Sequence, residues 1–350
     1  MSAAAIDAAA PETGRPSRST TTGRAVGLLI AIAVLLFVML ASIAVGAKPI
    51  PLSGVLHALF SGQNTVNGVV VLDLRLPRTL LGVAVGAALA VAGVLMQALT
   101  RNPLADPGIL GVNTGAAMAV VLAIWIWHLT DLTSYVWFAF LGAGVASVLV
   151  YLLGSRGRSG ATPVRLALAG TAVGVVLSSV ISMITLLNPR VFDQYRFWSV
   201  GSLAGPEMSI FWQVLGFILA GMLLAFALAG PLNALALGDE TAAALGSSIG
   251  RTRVLGAVAI ALLCGAGTSA AGPIGFIGLT VPHIARAITG PDHRWLIPYS
   301  MVLGPILLLG SDILGRVVAR PGEIQVGIIT AVVGAPVFIA LVRRRRIPEL

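Results

Sequence analysis

Nine apolar blocks without a single Asp, Glu, Lys or Arg mark out this chain: residues 25–47, 79–100, 107–130, 132–155, 166–189, 208–238, 254–285, 295–311 and 324–342. All but the eighth exceed the roughly eighteen residues at which an apolar stretch reads as a membrane-crossing helix. Block 254–285 would run about 48 Å as one helix at 1.5 Å per residue, well past a hydrocarbon core of about 30 Å. It must bend or hold two spans. Gly272-Pro273, followed by Gly275 and Gly278, supplies the break, because proline removes a backbone donor and glycine tolerates turn dihedrals. The pattern therefore predicts an all-α polytopic membrane protein of ten transmembrane helices.

Ten spans return both termini to one side. Counted that way, the cytoplasmic segments carry Arg15, Arg18, Arg24, Arg101, Arg156, Arg158, Arg165, Arg251, Arg253, Arg286, Arg294 and Arg343 to Arg346, fifteen of the 22 basic residues. The outside keeps Lys48, Arg75, Arg78, Arg190, Arg196, Arg316 and Arg320. This asymmetry satisfies the positive-inside rule and predicts cytoplasmic termini. Gly82xxxGly86 and Gly170xxxGly174 put small residues on one helical face, where backbones can approach. Trp125, Trp127, Tyr135 and Trp137 sit near span ends, as interfacial anchors do.

Composition agrees with a bilayer. The chain is 57% hydrophobic and only 10% charged, with a mean hydropathy of +0.97, where soluble domains carry about a quarter charged residues. The net charge of +9 lies in short clusters between spans, so it reads as an orientation signal and not as a nucleic-acid surface. Residues 1–24, rich in Ala, Ser, Thr and Pro, read as a disordered cytoplasmic tail, 25–342 as the transmembrane domain and 343–350 as a basic tail. A signal peptide competes for the first block, since Val45-Gly46-Ala47 resembles a cleavage site. At 23 residues, however, the run fits a span better than a signal core of about 7–15.

Several chemistries are absent. The only lysine, Lys48, follows Ala47 and not glycine, so no phosphate-cradling Walker loop exists; HExxH does not occur, and no GxSxG elbow, a strand-to-helix turn, supports a hydrolase. The lone cysteine, Cys264, lies in an apolar run and reads as a small core residue, with no metal-ligand cluster around it. All thirteen acids fall in tails, loops or span ends, which argues against ion-coupled transport through midplane carboxylates. The energy source is expected on another chain.

The chemistry-bearing motifs are Arg75-Leu-Pro-Arg78, Gly93-Val-Leu-Met-Gln97, Asn102-Pro-Leu-Ala-Asp-Pro-Gly108, Gly272-Pro-Ile-Gly-Phe-Ile-Gly-Leu279, Pro282-His283 with Arg286, and Gly334-Ala-Pro-Val-Phe338. Together they resemble the FecCD-type permeases, the membrane subunits of type II ABC importers for ferric siderophores, haem and vitamin B12. The resemblance covers nearly everything after residue 25 and lies closest to the ferric-siderophore branch. It implies the type II importer permease fold in the cell inner membrane. The implied partners are a second permease subunit, identical or paralogous, two ATP-binding subunits carrying ATP and Mg, and an extracytoplasmic solute-binding protein. No catalytic residue, metal or cofactor is expected on this chain. Corrinoid or haem is the alternative cargo, and an ATP-independent secondary transporter the alternative class.

The resemblance also implies roles for particular residues. Arg75, Arg78 and Arg316 match arginines that receive acidic residues of the binding protein, as a guanidinium fork suits a carboxylate; interfacial snorkelling, or pairing with Asp73 and Asp312, is the competing reading. Within residues 233–250, Leu237, Gly238, Asp239, Glu240, Ala243, Leu245 and Gly246 match two short coupling helices that seat in the ATPase subunit, against the alternative of an amphipathic surface loop. Asn102, Leu104 and Thr162 match the cytoplasmic gate, although Asn-Pro and Thr-Pro also simply build turns. Ser178 and Ser182 are candidates for the translocation path, unless they only bond backbone carbonyls of their own helix.

Overall fold

The computed structural model describes residues 21–46, 50–61, 66–129, 131–156, 163–205 and 207–343, and among them every regular element is helical. The chain opens with α1 (Thr21–Ala44), a short α2 (Leu52–Ser61) and a single turn α3 (Val66–Val69). A π-helical stretch, Val70–Arg75, leads into α4 (Leu76–Thr100), so that one helix runs from Asn67 to Thr100. A 3-10 turn at Pro107–Leu110 introduces α5 (Val112–Trp127), followed by α6 (Leu132–Ser155), α7 (Pro163–Leu187), α8 (Pro189–Ser199) and α9 (Met208–Ala236). The six-residue α10 (Asp239–Ala244) precedes α11 (Ile249–Ala271), α12 (Ile277–Thr289), α13 (His293–Val318) and α14 (Val326–Arg343).

Seven of these helices are long and apolar enough to cross a membrane, and α5 and α14 are shorter apolar helices. The break expected in block 254–285 falls at residues 272–276, between α11 and α12. Other boundaries differ from the charge-free blocks. Residues 21–24, expected in the tail, form the first turn of α1. The helix of α4 begins before Arg78, and α13 continues past Asp312 to Val318, because the charges that ended those blocks neutralise one another within the fold. Helices α2, α3 and α8 have no counterpart among the blocks.

Helix α4 is the centre of the bundle. Its most apolar window is 89% buried, against 11% for α1, and it packs against α9, α11, α12 and α13. Small residues make this possible. A Cβ at Gly86 would meet the backbone of Gly304 and Pro305 on α13, and one at Gly93 would fall on the carbonyl of Gly278 at the start of α12. Backbones this close need glycine, and in a bilayer such packing is the main source of helix association. Helix α1 instead lies along α13, where the Tyr299 hydroxyl donates to the Arg24 carbonyl at 2.7 Å.

Candidate functional site

At one end of the bundle the three arginines singled out in the sequence converge. Arg75, 6% exposed, donates through Nη1 to the carbonyls of Ile43 and Ala44, both at 2.8 Å, and so satisfies the last turn of α1. Arg316 donates to the carbonyls of Ser42 and Val45 at 2.9 and 2.8 Å and to the Ser42 hydroxyl at 2.9 Å, and pairs with Asp312 one turn earlier at 2.9 Å. Arg78 grips the same Asp312 at 2.7 Å and reaches Glu323 with its other nitrogen at 2.7 Å. Asp312 is fully buried, yet it lies between two guanidinium groups, which is how a carboxylate survives burial. The pairing with Asp312 weighed in the sequence is therefore present. The Arg78–Glu323 contact opens to the surface, with Glu323 one-third exposed.

At the other end the charges around α10 lie at the surface. Gly238, at φ 108°, takes a conformation that side chains disfavour and turns the chain from α9 into α10. The first of the two expected coupling helices is thus continuous with α9, and α10 alone is separate. Leu237 and Leu245 flank α10, each 63% exposed, with Glu240, Ala243 and Gly246 exposed beside them and Ala242 buried beneath. Asp239 pairs with Arg101, in the turn after α4, and with Arg253 of α11 at 3.0 Å. Arg101 adjoins Asn102 and Leu104, both exposed, and the Asn102 side chain accepts the Leu104 N–H at 2.9 Å to form the turn. The next residue of that turn, Pro103, receives a hydrogen bond from His283 Nε2 of α12 at 2.8 Å, a nitrogen that must carry the proton because a carbonyl only accepts. Thr162 lies outside the described residues.

Two carboxyls here are perturbed. Burial pushes Asp106 above the usual carboxylate range, although it accepts the Gly108 N–H at 2.8 Å. Burial also acts to raise Asp292, but the Asn233 amide, the Arg294 N–H and the charges of Arg294 and Arg24 outweigh it and hold that carboxyl low. Inside this end, Arg286 is 5% exposed and donates to Gln97 Oε1 at 3.2 Å, while the Gln97 amide lies 3.4 Å from the Gly278 and Leu279 carbonyls. The sequence motifs contained both residues; their meeting across 189 positions of sequence was not visible there.

Between the ends, α5, α7 and α8 enclose an open cleft of about 350 Å³. Ser178 and Ser182 both line it, and neither hydroxyl bonds another described residue; Ser179, one position on, donates to Val175 of its own helix. Asn113, Thr114, Thr185, Tyr195, Arg196 and Ser199 complete the polar lining and were missed in the sequence. The available signal was the Arg190, Asp193, Arg196 spacing among aromatic residues, which marks an amphipathic helix. Among the described residues no cluster of three metal-ligating side chains occurs.

This geometry has counterparts. The chain is 46% identical over 329 residues to the ferric enterobactin transport system permease protein FepD of Escherichia coli (strain K12), covering 94% of this chain and 98% of that one. It is 41% identical to the Fe(3+)-citrate import system permease protein YfmD of Bacillus subtilis (strain 168), across 94% and 98% of the two chains. Among solved structures, an inward-facing metal-chelate-type ABC transporter superposes with a TM-score of 0.81 at 28% identity, over 91% of this chain and 99% of that one. The model of the FecCD transport family matches residues 34–344, and with apolar helices throughout that range the chain belongs to this family, as a multi-pass membrane permease.

Proposed function

We propose that this permease carries a ferric siderophore into the cytoplasm as the membrane subunit of an ATP-binding-cassette importer. The observation that carries the reading is the 46% identity to a ferric enterobactin permease, sustained over 98% of that protein's length. The subunit works beside a second permease, identical or paralogous, and two ATP-binding subunits that hold ATP and Mg. The chain itself contributes no ATPase site and no bound cofactor. Ten helices span the membrane with both termini inside, counting α12 with the apolar helices; residues before the first span and after 342 are cytoplasmic tails. The meeting of Arg101, Asp239 and Arg253 at one end and of Arg75, Arg78 and Arg316 at the other supports the pairing of loops that this span count requires, and the larger share of basic residues in the loops of the first end supports its assignment to the cytoplasm.

The solute-binding protein docks over the Arg316 end. Arg78 there exchanges Glu323 for an incoming carboxylate, while Arg75 and Arg316 hold the surface in shape. Cargo then enters the cleft bearing Ser178 and Ser182. At the cytoplasmic end Leu237, Gly238, Asp239, Glu240, Ala243, Leu245 and Gly246 seat α10 against an ATPase subunit. The Arg101–Asp239 pair passes its displacement to the turn carrying Asn102 and Leu104, the exit gate, to which the family resemblance also assigns Thr162. Alternating exposure of the path follows from the need to avoid an ion leak.

Uptake of radiolabelled iron as ferric siderophores, by cells with and without this chain and with ATP depleted in one arm, tests the proposal. Loss of ATP-dependent uptake of one siderophore is expected. Loss of labelled cobalamin or haem uptake alone would reassign the cargo, and uptake that survives ATP depletion would overturn the importer mechanism.

A further inference from the structure

The cleft between α5, α7 and α8 has a consistent chemical sign. No carboxylate is among its lining residues, and its one charged group is Arg196. Thr185 and Ser199 spend their hydroxyl protons on carbonyls of their own helices, and Asn113 uses its side-chain oxygen to accept from Thr268 at 2.9 Å. Ser178, Ser182 and Tyr195 have no hydrogen-bond partner among the described residues, so three hydroxyls remain to donate into the cleft.

Arg196 is held but not spent. Its Cζ lies 4.8 Å from the Phe197 ring centroid and 5.9 Å from that of Phe192, which orients the guanidinium from the same helix. Its ion pair with Asp193 is a single 3.3 Å contact between side chains 51% and 62% exposed, the kind of surface pair that contributes little and exchanges readily. Arg190, Asp193 and Arg196 leave α8 with one surplus positive charge.

We infer that this cleft is a selectivity site for anionic ferric chelates, with Arg196 reading the charge of the cargo and Ser178, Ser182 and Tyr195 donating to its oxygens. The inference rests on the import function proposed above and narrows its substrate class. A ferric ion held by catecholates keeps a net negative charge, because each catecholate is a dianion; monoanionic hydroxamates in the same number cancel the charge of the metal. Both present oxygen acceptors to the hydroxyls, but only the first gains from a guanidinium in a partly desolvated setting. A cleft of about 350 Å³ is at the small end of ligand sites, about 300–1,000 Å³, and suits one face of such a chelate.

The test is ATP-driven uptake of iron-labelled ferric tris-catecholate and ferric tris-hydroxamate by cells making the complete importer, with binding-protein-stimulated ATP hydrolysis as a control for assembly. Arg196→Gln should lower catecholate uptake roughly ten-fold or more and leave hydroxamate uptake and ATP hydrolysis within about two-fold. Arg196→Lys should restore most of the loss, and Asp193→Asn, which frees Arg196, should leave catecholate uptake equal or higher. Wild-type catecholate uptake by Arg196→Gln, or an equal fall for both chelates together with ATP hydrolysis, would overturn the inference. An unaltered importer that carries hydroxamate but no catecholate would overturn it as well. If the unaltered importer carries no ferric chelate at all, the import function itself falls, and the charge-reading role with it.

Discussion

Arg316 leaves 2% of its side chain exposed and binds two carbonyls, a hydroxyl and a carboxylate, whereas Arg101 leaves 36% exposed and binds one half-open carboxylate. The two arginines cap opposite ends of the same bundle. At the Arg316 end, α1, α4 and α13 are tied through charges that have lost their water and cannot part without leaving an ion stranded. At the Asp239 end, water stands ready to replace each partner, so α10 and the turn after α4 can separate and rejoin at little cost. Burial, more than residue type, decides which end is fixed and which can move.

Removing the shared carboxylate attacks the comparison most directly. Asp312→Ala leaves Arg78 and Arg316 buried without their partner and should cost about 3–5 kcal/mol, read as a fall in Tm and in folded protein recovered from membranes. Unchanged recovery and Tm would mean that this end is not a fixed joint. Next in size, Gly93→Val forces α4 from the Gly278 backbone and should destabilise by about 1–3 kcal/mol, measured the same way. Arg101→Ala should cost less than about 1 kcal/mol in stability. It should still reduce transport per ATP hydrolysed, and the charge swap Arg101→Asp with Asp239→Arg should recover part of that; full coupling in the single variant would remove the pair from the transmission route.

The smallest effect concerns acid. The Asp292 carboxyl is held below its usual range in the folded protein, so its contribution to stability is complete above the ordinary carboxylate range and is lost as pH falls through its lower folded value. Asp292→Asn should therefore flatten the acid side of a Tm-against-pH profile. An unchanged slope would show that Asn233 and Arg294 do not hold the carboxylate as their distances indicate.

The length and composition of the apolar blocks were enough to anticipate α6 to the residue and the interruption after Ala271. The start of α4 and the end of α13 were not legible, since a charge-free run stops at Arg78 and Asp312, and their mutual neutralisation spans 234 positions of sequence. Helix α8 was missed for a related reason: three charges in eleven residues read as loop until one face is packed on α5 and α7. In the cleft, Ser178 and Ser182 could be suspected as polar positions on an apolar helix, but Tyr195 and Arg196 come from the next element, and only the fold brings them opposite.

The fastening of α1 bears on how freely that helix can vary. Arg75 and Arg316 grip it through the carbonyls of residues 42–45, and every amino acid supplies a carbonyl; Ser42 alone is recognised there by its side chain. With 11% of its apolar window enclosed by the chain, most of α1 is read only as a hydrophobic rod of the right length. It is an interchangeable part: a foreign membrane anchor that keeps Ser42 and the small Gly27 beside Tyr299 should graft onto this permease, which makes α1 the natural place for a tag, a label or a fusion.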